Sequence, residues 1–145
     1  MNVNKDIKFQ IAQAARKKMI IEEGSYLAYL KYVHNGNYMI SPHNALIASY
    51  LEKMERKEIQ KLMVFLPPRH GKSMTITETF PSYYLLRHPE NKVIEVSYSD
   101  AFAARFGRKN REKIREHGSD LYNIKLSYEN ASAGSFSIAG HRKFW

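Results

Sequence analysis

Apolar positions recur at helical spacing through the first third of the chain and then change character. Ile7, Ile11, Ala14, Ala15 and Met19 fall on one helical face, with Arg16, Lys17 and Lys18 near the end. Ser25 reads as the N-cap of a second helix through Tyr26, Leu27, Leu30 and Val33, closed by the Asn35-Gly36-Asn37 turn. Ser41-Pro42 is a helix start, with serine as cap and proline in the first turn. Leu46, Ile47, Tyr50, Leu51 and Met54 form the apolar stripe of that third helix, and Glu52, Lys53, Glu55, Arg56, Lys57 and Glu58 mostly face water. No internal repeat or low-complexity stretch interrupts the pattern.

From Lys61 the period shortens. Leu62-Met63-Val64-Phe65-Leu66 is a continuous apolar run, as in a strand buried on both faces, and Pro67-Pro68 stops it. A helix is expected from Lys72 to about Arg87, kinked or broken near Pro81. Val93-Ile94-Glu95-Val96 reads as a second strand. Ser99 or Asp100 then caps a long helix through Phe102, Ala103, Phe106, Asn110 and Ile114, ended by Gly118. Ser135 to Ala139 suggests a further strand. Strand, helix, strand, helix implies a parallel sheet with right-handed crossovers. The expected fold is therefore α/β: a P-loop NTPase-type parallel sheet flanked by helices over 61–145, incomplete, preceded by an N-terminal helical segment over 1–60.

The sharpest chemical signal is Gly71-Lys72-Ser73, placed directly after the apolar run and at the head of a helix. The first N–H groups of a helix lack internal partners and, with the preceding turn, form an anion site. Gly71 lets the backbone approach a phosphate, Lys72 offers a point charge to the β and γ phosphates, and the Ser73 hydroxyl is suited to Mg²⁺. The standard pattern has a glycine five residues before Gly71, where this chain has Leu66. Arg69 inside the loop is placed to reach a γ phosphate and stabilise transition-state charge in cis; its plain alternative is a solvated charge beside a proline turn. His70 reads as a loop or capping residue rather than a base.

Residues 62–73, Leu-Met-Val-Phe-Leu-Pro-Pro-Arg-His-Gly-Lys-Ser, resemble the deviant phosphate loop of tailed-phage terminase large subunits. Ser41-Pro42-His43-Asn44 with the helix after it, residues 77–84, and residues 93–100 with Phe106-Gly107-Arg108-Lys109-Asn110-Arg111 resemble further segments of that family. The resemblance covers about residues 38–118. It implies the ATP-binding front half of a DNA-packaging motor, with ATP and Mg²⁺ as cofactors. Lys72 and Arg69 would act on the phosphates, residues 69–73 would bind the nucleotide, and Ser73 would hold Mg²⁺; residues 42–44 would lie near the adenine. Double-stranded DNA, the terminase small subunit and the portal or procapsid would be its partners, in an oligomer.

An apolar strand ending in paired acids, needed to hold Mg²⁺ and orient the attacking water, does not follow Ser73. The nearest candidates are Glu95, on the other expected strand, and Asp100, at a helix cap. Nuclease acids are likewise missing, so the resemblance implies an interrupted or partial gene product. Two other functions stay open: a different P-loop translocase or helicase-like NTPase, and a non-catalytic basic binding module or remnant.

Composition bounds these readings. A hydrophobic fraction of 43% over 145 residues suits a globular domain. Lys and Arg total 23 against 14 Asp and Glu, a net charge of +9 that suits a polyanionic partner. Arg105, Arg108, Lys109, Arg111, Lys113 and Arg115 crowd the last long helix, either as a solvated face balanced by Glu112 and Glu116 or as a contact to phosphate backbone. The tyrosines look scattered, with no evident stacking platform. With no cysteine, disulfides and thiolate metal sites are excluded. Met1 to Lys18 lacks the apolar core of a signal peptide, and no apolar run is long enough to span a bilayer, so a cytoplasmic protein is expected.

Overall fold

The computed structural model describes residues 3–131 and 135–139. The chain divides into two compact units, Met1–Phe65 and Leu66–Trp145. No helix among the described residues is long and apolar enough to cross a membrane.

The first unit is helical. Helix α1 (Val3–Lys18) continues into a π-helical turn, Met19–Glu23, that Gly24 closes in the left-handed region. Helix α2 (Tyr26–Val33) is capped by the Ser25 side chain, which accepts from the Ala28 N–H at 3.2 Å. Glu52 of α3 (Pro42–Glu55) reaches the α2 head, its Oε1 accepting from the Tyr26 N–H at 2.7 Å. A carboxylate there satisfies an orphan donor and complements the helix dipole. The core is aromatic and aliphatic: Ile20, Tyr26, Tyr29, Leu30 and Val33 pack with Ile47, Ala48 and Leu51.

Two expected apolar stripes are rotated. On α1, Ile7, Ile11 and Met19 are exposed, Ile11 by 65%. The helix packs instead through the face of Gln13, which donates to the Tyr32 carbonyl at 3.3 Å, and of Ile20. On α3, Leu46 and Tyr50 are exposed while Asn44, Ile47, Ala48, Leu51 and Glu55 are buried. Glu55, expected in water, lies in the interior. One side of α3 carries apolar residues to solvent because α2 covers only a narrow strip of it.

In the second unit the expected helix from Lys72 to Arg87 is two helices. Helix α4 is the single turn Lys72–Thr75, residues 76–79 form turns, and α5 runs Phe80–Arg87. Pro81 lies in the first turn of α5, where a missing N–H costs nothing, so the break falls before it rather than at it. Helix α6 spans Asp100–Tyr122. It passes through Gly118, the expected stop, and ends at Asn123, left-handed with φ 54°.

The parallel sheet is overturned. Residues 62–66 and 92–97 belong to no helix or ladder, and the sheet among the described residues is a two-stranded antiparallel hairpin. Its strands are β1 (Leu126–Ala131) and β2 (Phe136–Ile138), with Leu126 opposite Ile138 and Ala131 opposite Phe136. The unit is mostly helical, held by α5 against α6 through Tyr83, Leu86, Ile114 and Leu121. The two apolar runs lack the two-sided burial that a parallel sheet requires: Met63 and Phe65 stand 78% and 82% exposed. A short apolar run carries no information about whether it will find a ladder partner.

Gly118 is where α6 meets the chain that leaves it. A Cβ there would lie 2.8 Å from the Ile124 carbonyl oxygen, and the Ile124 N–H donates back to the Gly118 carbonyl at 3.0 Å. Gly118→Ala normally gains helix propensity of about 1 kcal/mol. Here the clash is with backbone, and the net effect is a loss of roughly 1–2 kcal/mol, read as a lower midpoint in urea unfolding.

Candidate phosphate loop and a buried carboxylate network

The loop is built from local backbone chemistry. Pro67 and Pro68 follow the apolar run, and the chain turns through residues 68–71. Arg69 (φ 65°) and Gly71 (φ 77°) both occupy the left-handed region on either side of His70. That conformation is ordinary for glycine and uncommon for arginine, so the turn holds Arg69 against its own preference. His70 braces it: Nδ1 lies 2.9 Å from the Pro68 carbonyl. Because a carbonyl only accepts, the ring carries its proton on Nδ1. The Gly71 carbonyl then accepts from both the Thr75 N–H and the Thr75 hydroxyl, each at 2.9 Å, which closes the α4 turn.

No side chain caps α4. The amides of Lys72, Ser73 and Met74 at its head are therefore left to solvent or to an anion. Arg69, His70, Lys72 and Ser73 are exposed, and neither Arg69 nor Lys72 joins an ion pair among the described residues. All five expected site residues thus fall on one short turn. Ser73 offers its hydroxyl, but no group of three His, Asp or Glu side chains converges on a metal position among the described residues. Mg²⁺ would have to ride mainly on the phosphates of a nucleotide. In the first unit, His43 Nε2 lies 3.0 Å from the Ser41 hydroxyl, and buried Asn44 keeps its Oδ1 without a partner.

A second cluster was not legible as a site in the sequence. Asn110 of α6 is fully buried. Its Oδ1 accepts from the Ser82 N–H at 3.1 Å, and its Nδ2 faces the Thr77 carbonyl at 2.8 Å, the Phe106 carbonyl at 3.1 Å and both Glu95 carboxylate oxygens at 3.4 Å. Beside it, buried Glu78 receives Lys109 Nζ at 2.6 Å and Arg105 at 3.8 Å, while Lys113 Nζ donates to the Glu78 carbonyl at 2.8 Å. Three of the basic residues expected to line a solvated face are thus committed to the turn between α4 and α5. The one sequence signal was an asparagine inside the apolar stripe of Phe106 and Ile114.

Of the two acids nearest in sequence to a catalytic role, Asp100 is exposed in the first turn of α6, and Glu95 is turned toward the Asn110 amide. Burial pushes the Glu95 carboxyl up to about 7, against the lowering influence of the Asn110 hydrogen bond. Burial likewise lowers the Lys113 ammonium. Comparison with family models, curated proteins and solved structures finds no match to this chain.

Two outcomes follow. Asn110→Ala, which strands the Ser82 N–H and the Thr77 carbonyl, destabilises the second unit by roughly 2–4 kcal/mol in urea unfolding. Glu95 binds its proton more tightly folded than unfolded, so its contribution is complete below the ordinary value of 4.5 and is lost as pH rises through about 7. Glu95→Gln, always neutral, matches wild type near the lower value and exceeds it above the higher. The gain is roughly 1–2 kcal/mol once solvent access to this half-buried group is allowed for, measured as the difference in stability across a pH series.

Proposed function

We propose that the loop at 66–73 binds the phosphate chain of ATP, and that the protein serves as the ATP-binding part of a viral DNA-packaging terminase large subunit. The observation that carries the reading is the pair of left-handed residues, Arg69 and Gly71, leading into uncapped amides beside the exposed Lys72 and Ser73. Successive amides in such a turn make an anion-binding concavity. A one-turn helix adds little dipole, so the turn's own amides and the two cations supply most of the attraction. The sequence likeness at 62–73 to terminase phosphate loops supports the same reading, and the cradle is local enough not to require the parallel sheet that is absent among the described residues.

Lys72 would contact the β and γ phosphates, Ser73 the Mg²⁺ that accompanies them, and Arg69 the γ phosphate. His70 holds the turn rather than the reaction, given its bond to Pro68. Double-stranded DNA, the small subunit and the portal or procapsid would be the partners, and the host cytoplasm the setting. Hydrolysis is a separate step, because it needs an acid to orient water and Glu95 is engaged by Asn110. A second reading, a non-catalytic basic module with a vestigial loop, is favoured by the missing metal-ligand acids and by the absent parallel sheet among the described residues.

Thermal unfolding with Mg²⁺-ATP separates them. A ligand at a hundredfold excess over its Kd stabilises by about 2.7 kcal/mol, a rise in Tm of several degrees. The rise is expected for wild type and lost in Lys72→Ala. No rise in wild type sinks nucleotide binding and leaves the basic module. Phosphate release measured on the same samples tells a binder from an ATPase.

A further inference from the structure

The start of α6 carries an arrangement that the scattered tyrosines of the sequence conceal. Tyr98, Phe102 and Phe106 form a continuous row of rings, with centroids 5.1 Å apart for the first pair and 6.2 Å for the second. Tyr98 is 86% exposed, so its face is open to solvent. The Arg105 guanidinium lies over both phenylalanines, 4.9 Å from the Phe102 centroid and 5.6 Å from that of Phe106. Glu78 pairs with that guanidinium from one side at 3.8 Å. Arg108 is exposed one turn on and joins no ion pair among the described residues, and Lys109 is anchored beside it by Glu78.

We infer that this surface binds single-stranded nucleic acid by stacking a base on Tyr98, with Arg105 and Arg108 taking the backbone. An open aromatic face next to cations fits a ligand that is anionic and also presents flat π surfaces. Bases inside a duplex have no free face, so the rings favour a single strand over double-stranded DNA. The excess of positive charge draws the same partner. The inference does not depend on the phosphate loop, which uses different residues.

Fluorescence anisotropy of a labelled oligodeoxythymidylate, against a duplex of the same length at one ionic strength, tests it. Tighter binding of the single strand is expected, with a loss of roughly 5–100-fold in Tyr98→Ala and none in Tyr98→Phe. Tyr98→Leu keeps apolar bulk without a π face and is expected to lose binding as the alanine variant does; circular dichroism on each variant confirms folding. Arg108→Ala is expected to flatten the salt dependence. Lys72→Ala is expected to leave strand binding unchanged, so failure of the nucleotide reading and failure of this one are told apart. Equal affinity for the duplex, or an unaltered affinity in both Tyr98→Ala and Tyr98→Leu, overturns the proposal in favour of charge alone. Partition onto phosphatidylserine vesicles that Tyr98→Ala abolishes, with strand binding untouched, overturns it in favour of a membrane surface.

Discussion

The second unit is organised around one buried amide. Asn110 joins the turn after α4, the first turn of α5, Glu95 in the segment before α6 and its own helix through a single side chain. Only two N–H hydrogens serve the acceptors grouped around Nδ2, so they are shared, and the arrangement holds only while every segment keeps its place. An apolar residue of similar size would pack against Ile114 but would leave the Ser82 amide without its acceptor. A polar residue in the middle of an apolar stripe therefore specifies which segments meet, where hydrophobic burial alone would allow them to slide.

Glu78 extends that network outward and links the two features offered for ligands. Its backbone N–H donates to Ser73 in the turn leaving the loop, at 2.8 Å, and its carboxylate draws Lys109 and Arg105 inward from α6. One residue thus bonds the turn leaving the loop through its backbone and pairs through its carboxylate with the guanidinium that lies across Phe102 and Phe106. The basic helix divides: Lys109 and Lys113 are structural anchors, while Arg108 is exposed and joins no ion pair among the described residues. Counting charges along α6 overstates what is available to any polyanion, because part of that charge is neutralised from within.

The caps were the most legible part of the fold. Ser25 and Ser41 begin α2 and α3 through their own hydroxyls, and Asn35-Gly36 turns with φ 52° and 81°, since these are dipeptide-scale preferences. The Gly71-Lys72-Ser73 head of α4 was legible for the same reason, being a local turn. Boundaries set by longer contacts were not. Gly118 stays helical because Ile124 folds back onto it, and the segment read as one helix breaks at 76–79, where Asn110 takes up the Thr77 carbonyl. Glu95 looked like an acid on a strand and is instead a half-buried carboxyl whose titration burial raises, against the lowering influence of the Asn110 hydrogen bond from α6.

By itself the sequence determined where α2, α3 and α6 begin and that a glycine-lysine-serine turn heads a helix. Each of these depends on steric and hydrogen-bonding preferences that act within a few residues. Tertiary structure alone decided which side of α1 and α3 is covered, that residues 62–66 and 93–96 form no ladder, that the only sheet among the described residues is the β1–β2 hairpin, that Glu95 meets Asn110, and that Glu78 meets Lys109. Strand pairing and burial are properties of two surfaces brought together from distant parts of a chain, and an apolar run carries no label for the surface it will meet.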